Sequence, residues 1–276
     1  MMRGEGLTRR AALLAGAAMA AALVAAALFS PWLAPYPPDR MDLCGGLSGP
    51  SWSHPLGQDK HGRDVLSGLI YGARVSLLVG VGVVALSAGV GFFLGALAGL
   101  KGGVWDQALM RAVDVLLAFP GILLAIALTA VTGPSLLNVI VALSARGWVS
   151  YARLVRGQVL VEREKGYVEA ARALGAGSVR IVLKHLLPNT LTPVVIEATF
   201  GLAGAILAEA SLSFLGLGPQ NVPTWGAMLS DGTSFLRSAP HIAVFPGLAI
   251  MATVLAFNFL GDAARDRLGG GLTSRR

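Results

Sequence analysis

The chain has 276 residues, 54% hydrophobic and only 13% charged, with a mean hydropathy of +0.67. Soluble domains carry about 25% charged residues, so the composition excludes a water-soluble enzyme and points to a membrane protein. The net charge of +7 is divided among segments between apolar runs, which argues against nucleic-acid binding, and the single cysteine, Cys44, excludes an internal disulfide.

Arg3, Arg9 and Arg10 lead into an apolar run over residues 11–29. A secretory signal has the same order of parts, but its apolar core is about 7–15 residues, whereas this run is long enough to span a bilayer at roughly 20. No clear cleavage site separates it from Pro31 to Pro35, so it reads as an uncleaved first helix, with a signal peptide as the alternative. Residues 31–72 are polar, with five prolines between Pro31 and Pro50, and read as an extramembrane segment. Within it, residues 64–71 read as a short helix lying at the membrane surface.

A second span is expected over residues 75–100. Gly91, Gly95 and Gly99 recur every four residues and give it a flat face, suited equally to packing within the chain or against another subunit. The third span, 113–131, contains Phe119-Pro120, and the proline predicts a kink. Asp106, Arg111 and Asp114 gather near one of its ends. After a turn at Gly133-Pro134 the fourth span covers 136–149. A polar island follows over 151–189, then a long fifth span over 191–217 carrying Glu197 and Glu209. A polar segment, 220–240, precedes a sixth span over 242–260 and a basic tail.

Six spans place both termini on one side. Of the 22 lysines and arginines, 17 fall on that side, Arg146 included, and 5 on the other. Basic loops are cytoplasmic. The expected fold is an all-α polytopic membrane protein of six transmembrane helices, with both termini and the island in the cytoplasm. Its parts are a tail and first helix (1–30), an external segment (31–72) and a core of five helices (73–276).

In the island, Tyr167, Ala170, Ala171 and Leu174 share one face of a short helix at i, i+3, i+4 and i+7. Gly175-Ala176-Gly177 supplies the stop, Ser178 suits the N-cap of a second short helix, and that helix must end before Pro188. Glu169 reads either as a charge offered to a partner or as a solvated residue paired with Arg172 at i+3. Two short helices around a glycine, held outside the membrane, make a protruding knob.

Glu169-Ala170-Ala171, Gly175 four residues later, and Leu187-Pro188 resemble the EAA loop of ABC importer permease subunits. His185 stands where the general pattern has isoleucine, as is common in the dipeptide, oligopeptide and nickel branch. The likeness extends through His54-Pro55-Leu56-Gly57, Gly62-Arg63-Asp64, Tyr71-Gly72-Ala73-Arg74, Tyr151 to Gly157, Ser213 to Gly218, Trp225-Gly226 and Asn258 to Asp262. It departs at the tail, where Gly269-Gly270-Gly271 replaces the Asp-Pro-Arg that relatives often carry.

The resemblance implies a C-type permease subunit that works with a second homologous permease, two cytoplasmic ATPase subunits and an external solute-binding protein. It implies that Tyr167, Glu169, Ala170, Ala171, Leu174, Gly175, His185, Leu187 and Pro188 form the ATPase-coupling loop. Short peptides are the first expected cargo and nickel or a metal chelate the alternative. No cofactor is expected on this chain, ATP and magnesium belonging to the ATPase partners. The sequence itself has no G-x-x-x-x-G-K-[ST] phosphate loop. Its histidines, His54, His61, His185 and His241, lack metal-ligand spacing. Glu209, deep in the fifth span, is expected to bond across helices or line a pathway, and Pro120 to lie on the pathway or at a helix interface. An ATPase-independent secondary transporter is the remaining class, separated from the first by co-purification with an ATPase.

Overall fold

The computed structural model describes the backbone of residues 2–181, 184 and 186–273. Of these, the side chains of residues 2–12, 172, 178, 179, 187, 189 and 268–273 lie outside the description. Among the described residues the fold is helical, with a single isolated antiparallel bridge between Gln58 and Asp64.

Helix α1 (Met2–Leu28) and the single turn α2 (Ser30–Leu33) lead into an irregular stretch that its own polar groups hold in shape. Asp59 accepts from the N–H groups of His61 (2.8 Å) and Arg63 (2.9 Å) and from Arg63 Nε (2.7 Å). Gln58 Nε2 donates to the Gly62 carbonyl, and His54 Nδ1 lies 2.9 Å from Asp64 Oδ1. The motif residues His54, Asp59 and Asp64 are thus committed to folding this segment.

Asp64 also begins α3 (Val65–Lys101), accepting from the N–H and hydroxyl of Ser67 at 2.8 and 2.7 Å. A carboxylate there satisfies orphan donors at the positive end of the helix. The helix then runs unbroken for 37 residues, about 55 Å. The short surface helix expected at 64–71 is therefore not a separate element but the first turns of α3. Gly72 does not interrupt it, because it packs on Trp225: a Cβ there would lie 2.6 Å from the indole Cδ1. Trp225 Nε1 also donates to the Leu69 carbonyl at 2.9 Å.

Helices α4 (Gly103–Ala118) and α5 (Gly121–Thr132) meet at 87°. The kinked third span expected over 113–131 is instead broken in two. Phe119 (φ −91°, ψ 136°) and Pro120 (φ −60°, ψ 121°) are both extended, since proline drives the residue before it out of the α region.

Helix α6 (Leu136–Glu162), capped by the Ser135 hydroxyl, packs along α3. Its seam is the glycine stripe. A Cβ at Gly95 would lie 3.0 Å from the Ala152 Cα and carbonyl carbon, and one at Gly99 would lie 2.8 Å from Val159 Cγ1. Gly91 abuts Trp148 and Tyr151 in the same way. The flat face is an internal seam of this chain. Arg146, counted above with the loop cations, sits in the body of α6, ten residues beyond Leu136.

The island holds α7 (Gly166–Ala173) and α8 (Ser178–Ile181), and α9 (Leu187–Phe214), α10 (Trp225–Thr233) and α11 (His241–Thr273) complete the chain. Among the described residues, three helical stretches are long and apolar enough to cross a membrane: Val65–Lys101, Thr190–Phe214 and His241–Arg267. A fourth is added if the bent α4–α5 pair is one span, while Leu13–Leu28 is apolar but shorter. One apolar core joins Ile206, Trp225, Ile250 and Phe257, a second joins Val79, Val83, Val139 and Leu212, and a third lies beneath the island.

Candidate functional site

The third core decides how the island stands. Val155 and Val159 of α6, Val168 of α7, Ile181 of α8, Leu186, and Val194 of α9 pack together, with Ala171 and Ala176 partly buried against them. Val168 is fully buried. The inward side of α7 is therefore Val168 and Ala171. Tyr167, Glu169, Ala170 and Leu174 are exposed, Leu174 at 89%. A short helix that buries Val168 and is followed at once by the exposed Leu174 presents an apolar outer surface.

Two polar devices fix its angle. At the end of α6, Glu162 is buried; its carboxylate accepts from Lys165 Nζ at 2.6 Å and from the Tyr167 hydroxyl. Sequence reading missed Glu162, although its place three residues before Lys165 and five before Tyr167 was a signal for such a clamp. At the other end Gly175 has φ +80°, and the Ala176 N–H donates to the Ala171 carbonyl at 3.0 Å. That six-to-one bond with a left-handed glycine is a Schellman stop, and Ala171 and Ala176 both pack on the core beneath it.

Of the other coupling-loop residues, His185 lies outside the described residues, and the side chains of Leu187 and Arg172 do too, so the Glu169–Arg172 pair is not described. Pro188 is exposed and sits in the first turn of α9, where its missing N–H costs no helical bond. The structure does not bring Glu209 or Pro120 to the island. Glu209 is fully buried between α3 and α9, accepting from Ser76 Oγ at 3.2 Å and Ser213 Oγ at 2.6 Å. Of its two expected roles, the cross-helix bond is the one in place.

Arg156 and Asp106 tie α6 to α4 ahead of α7. Arg156 Nε and Nη2 bind the two carboxylate oxygens in a fork, the Nη2 contact at 2.6 Å. The hydrogen bond from Arg156 holds the Asp106 carboxyl below its ordinary range, against the opposing push of burial. Asp106 thus pairs across the fold rather than with neighbouring Arg111. Arg163 Nη1 donates to the Gly99 carbonyl at 2.9 Å, fastening the end of α3 to the C-cap of α6.

Residues 91–273 match the family described as binding-protein-dependent transport system inner membrane component. The chain is 45% identical over 248 residues to the glutathione transport system permease protein GsiD of Escherichia coli O6:K15:H31, covering 89% of this chain and 82% of that protein. The Shigella boydii serotype 4 protein of the same name matches to the same extent. Among solved structures, the chain resembles one from the inward-facing MetNI methionine ABC transporter, with a TM-score of 0.57 at 22% identity, covering 73% of this chain and 96% of that one. That likeness speaks for the fold. The chain belongs to the binding-protein-dependent transport system inner membrane component family and is a permease subunit of an ABC importer.

Proposed function

We propose that the chain is half of the channel of an ATP-driven importer of short peptides of the glutathione kind. It spans the inner membrane six times with both termini cytoplasmic and works with a second homologous permease, two ATPase subunits and an external solute-binding protein. ATP and magnesium are bound by the ATPase subunits. The relatives named for glutathione transport support the cargo class over nickel.

The observation that carries the mechanism is the outward apolar surface formed by Tyr167 and Ala170 of α7 and by Leu174 just after it, anchored through Val168, Glu162 and the Gly175 stop. A face of this kind accepts a partner, and its fastening to α6 and α9 lets it pass the partner's movement to the spans. Closure of the ATPases on ATP shifts the equilibrium between inward-facing and outward-facing states through its differential affinity for the two. Glu169→Lys and Gly175→Pro test the reading in a reconstituted complex. Both variants insert into the membrane, and both lose ATP-dependent glutathione uptake; for Gly175→Pro the φ of +80° is one proline cannot adopt. Normal uptake by both variants, or failure of the wild-type chain to co-purify with an ATPase, refutes the assignment.

A further inference from the structure

A cavity of about 290 Å³ lies between α3, α5, α6 and α9. Three buried polar atoms on its walls, Ser87 Oγ, Arg146 Nε and Tyr151 Oη, have no hydrogen-bond partner among the described residues. Ser87 and Tyr151 are 1% and 4% exposed. Glu197 lines the same cavity, and among the described residues neither it nor Arg146 has an ion-pair partner within 4.0 Å. Buried polar groups are ordinarily paired; three orphans converging on one space mark a place built to receive something.

Each orphan has a glycine beside it. Gly147 abuts Ser87 Oγ; a Cβ at Gly121 would lie 2.7 Å from Arg146 Cδ, and one at Gly201 would lie 2.6 Å from Tyr151 Oη. Gly121 opens α5 directly after the break at Pro120, so the 87° bend is what brings that helix end over Arg146. The cavity is set deep: Glu197 is ten residues inside α9 from Leu187, about 15 Å, and Tyr151 eleven residues before the end of α6, about 16 Å.

We propose that this cavity is a transit site for a zwitterionic short peptide, with Arg146, Tyr151 and Ser87 donating to its C-terminal carboxylate and Glu197 accepting from the ammonium. A guanidinium fork matches a carboxylate, and two hydroxyl donors supply the remaining hydrogen bonds. One cation and one anion in the same space disfavour a multiply charged anion and favour a ligand carrying both signs. Apolar walls from Val83, Val84, Ile122 and Leu143 take the side chains between them. The inference rests on the importer reading and names where in this chain the cargo is held.

The test uses the full complex in proteoliposomes, with labelled glutathione and its glycine-carboxamide as probes at saturating binding protein. Tyr151→Phe removes only an unpaired hydroxyl, so a purely structural role predicts an unchanged or higher thermal midpoint and normal uptake. The transit site predicts instead that uptake falls about tenfold while binding-protein-stimulated ATP hydrolysis stays within about twofold and the midpoint does not fall. Arg146→Gln lowers the ratio of acid to amide uptake about tenfold relative to wild type, a readout to which the binding protein contributes equally in both. Uptake within about twofold of wild type in both variants overturns the inference alone, as does a loss that appears only with a lowered midpoint in both. Failure of the wild-type complex to take up glutathione overturns the importer reading and this site with it.

Discussion

Two glycines on the same helix respond in opposite directions to the same substitution. At Gly95 a Cβ would come within 3.0 Å of the Ala152 Cα and carbonyl carbon, and at Gly89, six residues earlier, it meets nothing within 4 Å. Backbone atoms cannot swing aside, so Gly95→Ala forces α3 and α6 apart along the seam that also holds Gly91 and Gly99. Overpacking of this kind costs about 1–3 kcal/mol, and a backbone obstacle places it near the upper end. Gly89→Ala meets no obstacle and removes a poor helix former, a gain of up to about 1 kcal/mol. The two variants therefore differ by about 3–4 kcal/mol from one identical methyl group. Thermal unfolding of the purified complex, followed by loss of the monodisperse peak after heating, reads the order. Gly95→Ala midpoints at or above those of Gly89→Ala would refute the packing account of the seam.

The Asp106–Arg156 fork gives a pH-dependent case. The folded pKa of Asp106 is depressed, so its contribution is present above the unfolded value of about 3.9 and disappears as pH falls through the folded value. Asp106→Asn is expected to cost about 1 kcal/mol at pH 7, with the gap to wild type closing at low pH; a gap independent of pH contradicts the ion pair. Trp225→Phe removes the bond to the Leu69 carbonyl and part of a buried ring, and is expected to cost about 2–3 kcal/mol in thermal stability. A change under about 0.5 kcal/mol would show that α10 is not anchored through this residue.

Much of the architecture was legible because apolar runs in a membrane protein are long and unambiguous. The helical island and the left-handed turn at Gly175 were legible too, since glycine after a periodic run has few uses. What was not legible depended on distant partners. The stripe from Gly91 to Gly99 announced a flat face, but its partner Ala152 lies far along the chain, so nothing local chose between an internal seam and a second subunit. In α7 and the residue after it, apolar side chains occupy 167, 168, 170, 171 and 174, too many for one face; only the packing of Val155, Val159 and Leu186 selects Val168 as the buried one. Arg146 was counted with the cations of the terminus side although it falls inside the expected fourth span, 136–149; the structure sets it in the body of α6, eleven residues past the Ser135 cap. Ser87 carried no signal, since its isolation comes from the shape of the space around it.

The unbroken length of α3 sets a scale for movement. Its third residue, Ser67, is bound to the Asp64 cap in the loop network, and its last turn carries the Gly99 carbonyl that receives Arg163 at the C-cap of α6. A rod of about 55 Å that tilts by about 5° about one end displaces the other by about 5 Å, close to the rise of one helical turn. On the mechanism proposed above, movement of the knob would reach the other end of α3 through a single covalent element, and a small angular stroke at one end would change the register of contacts at the other.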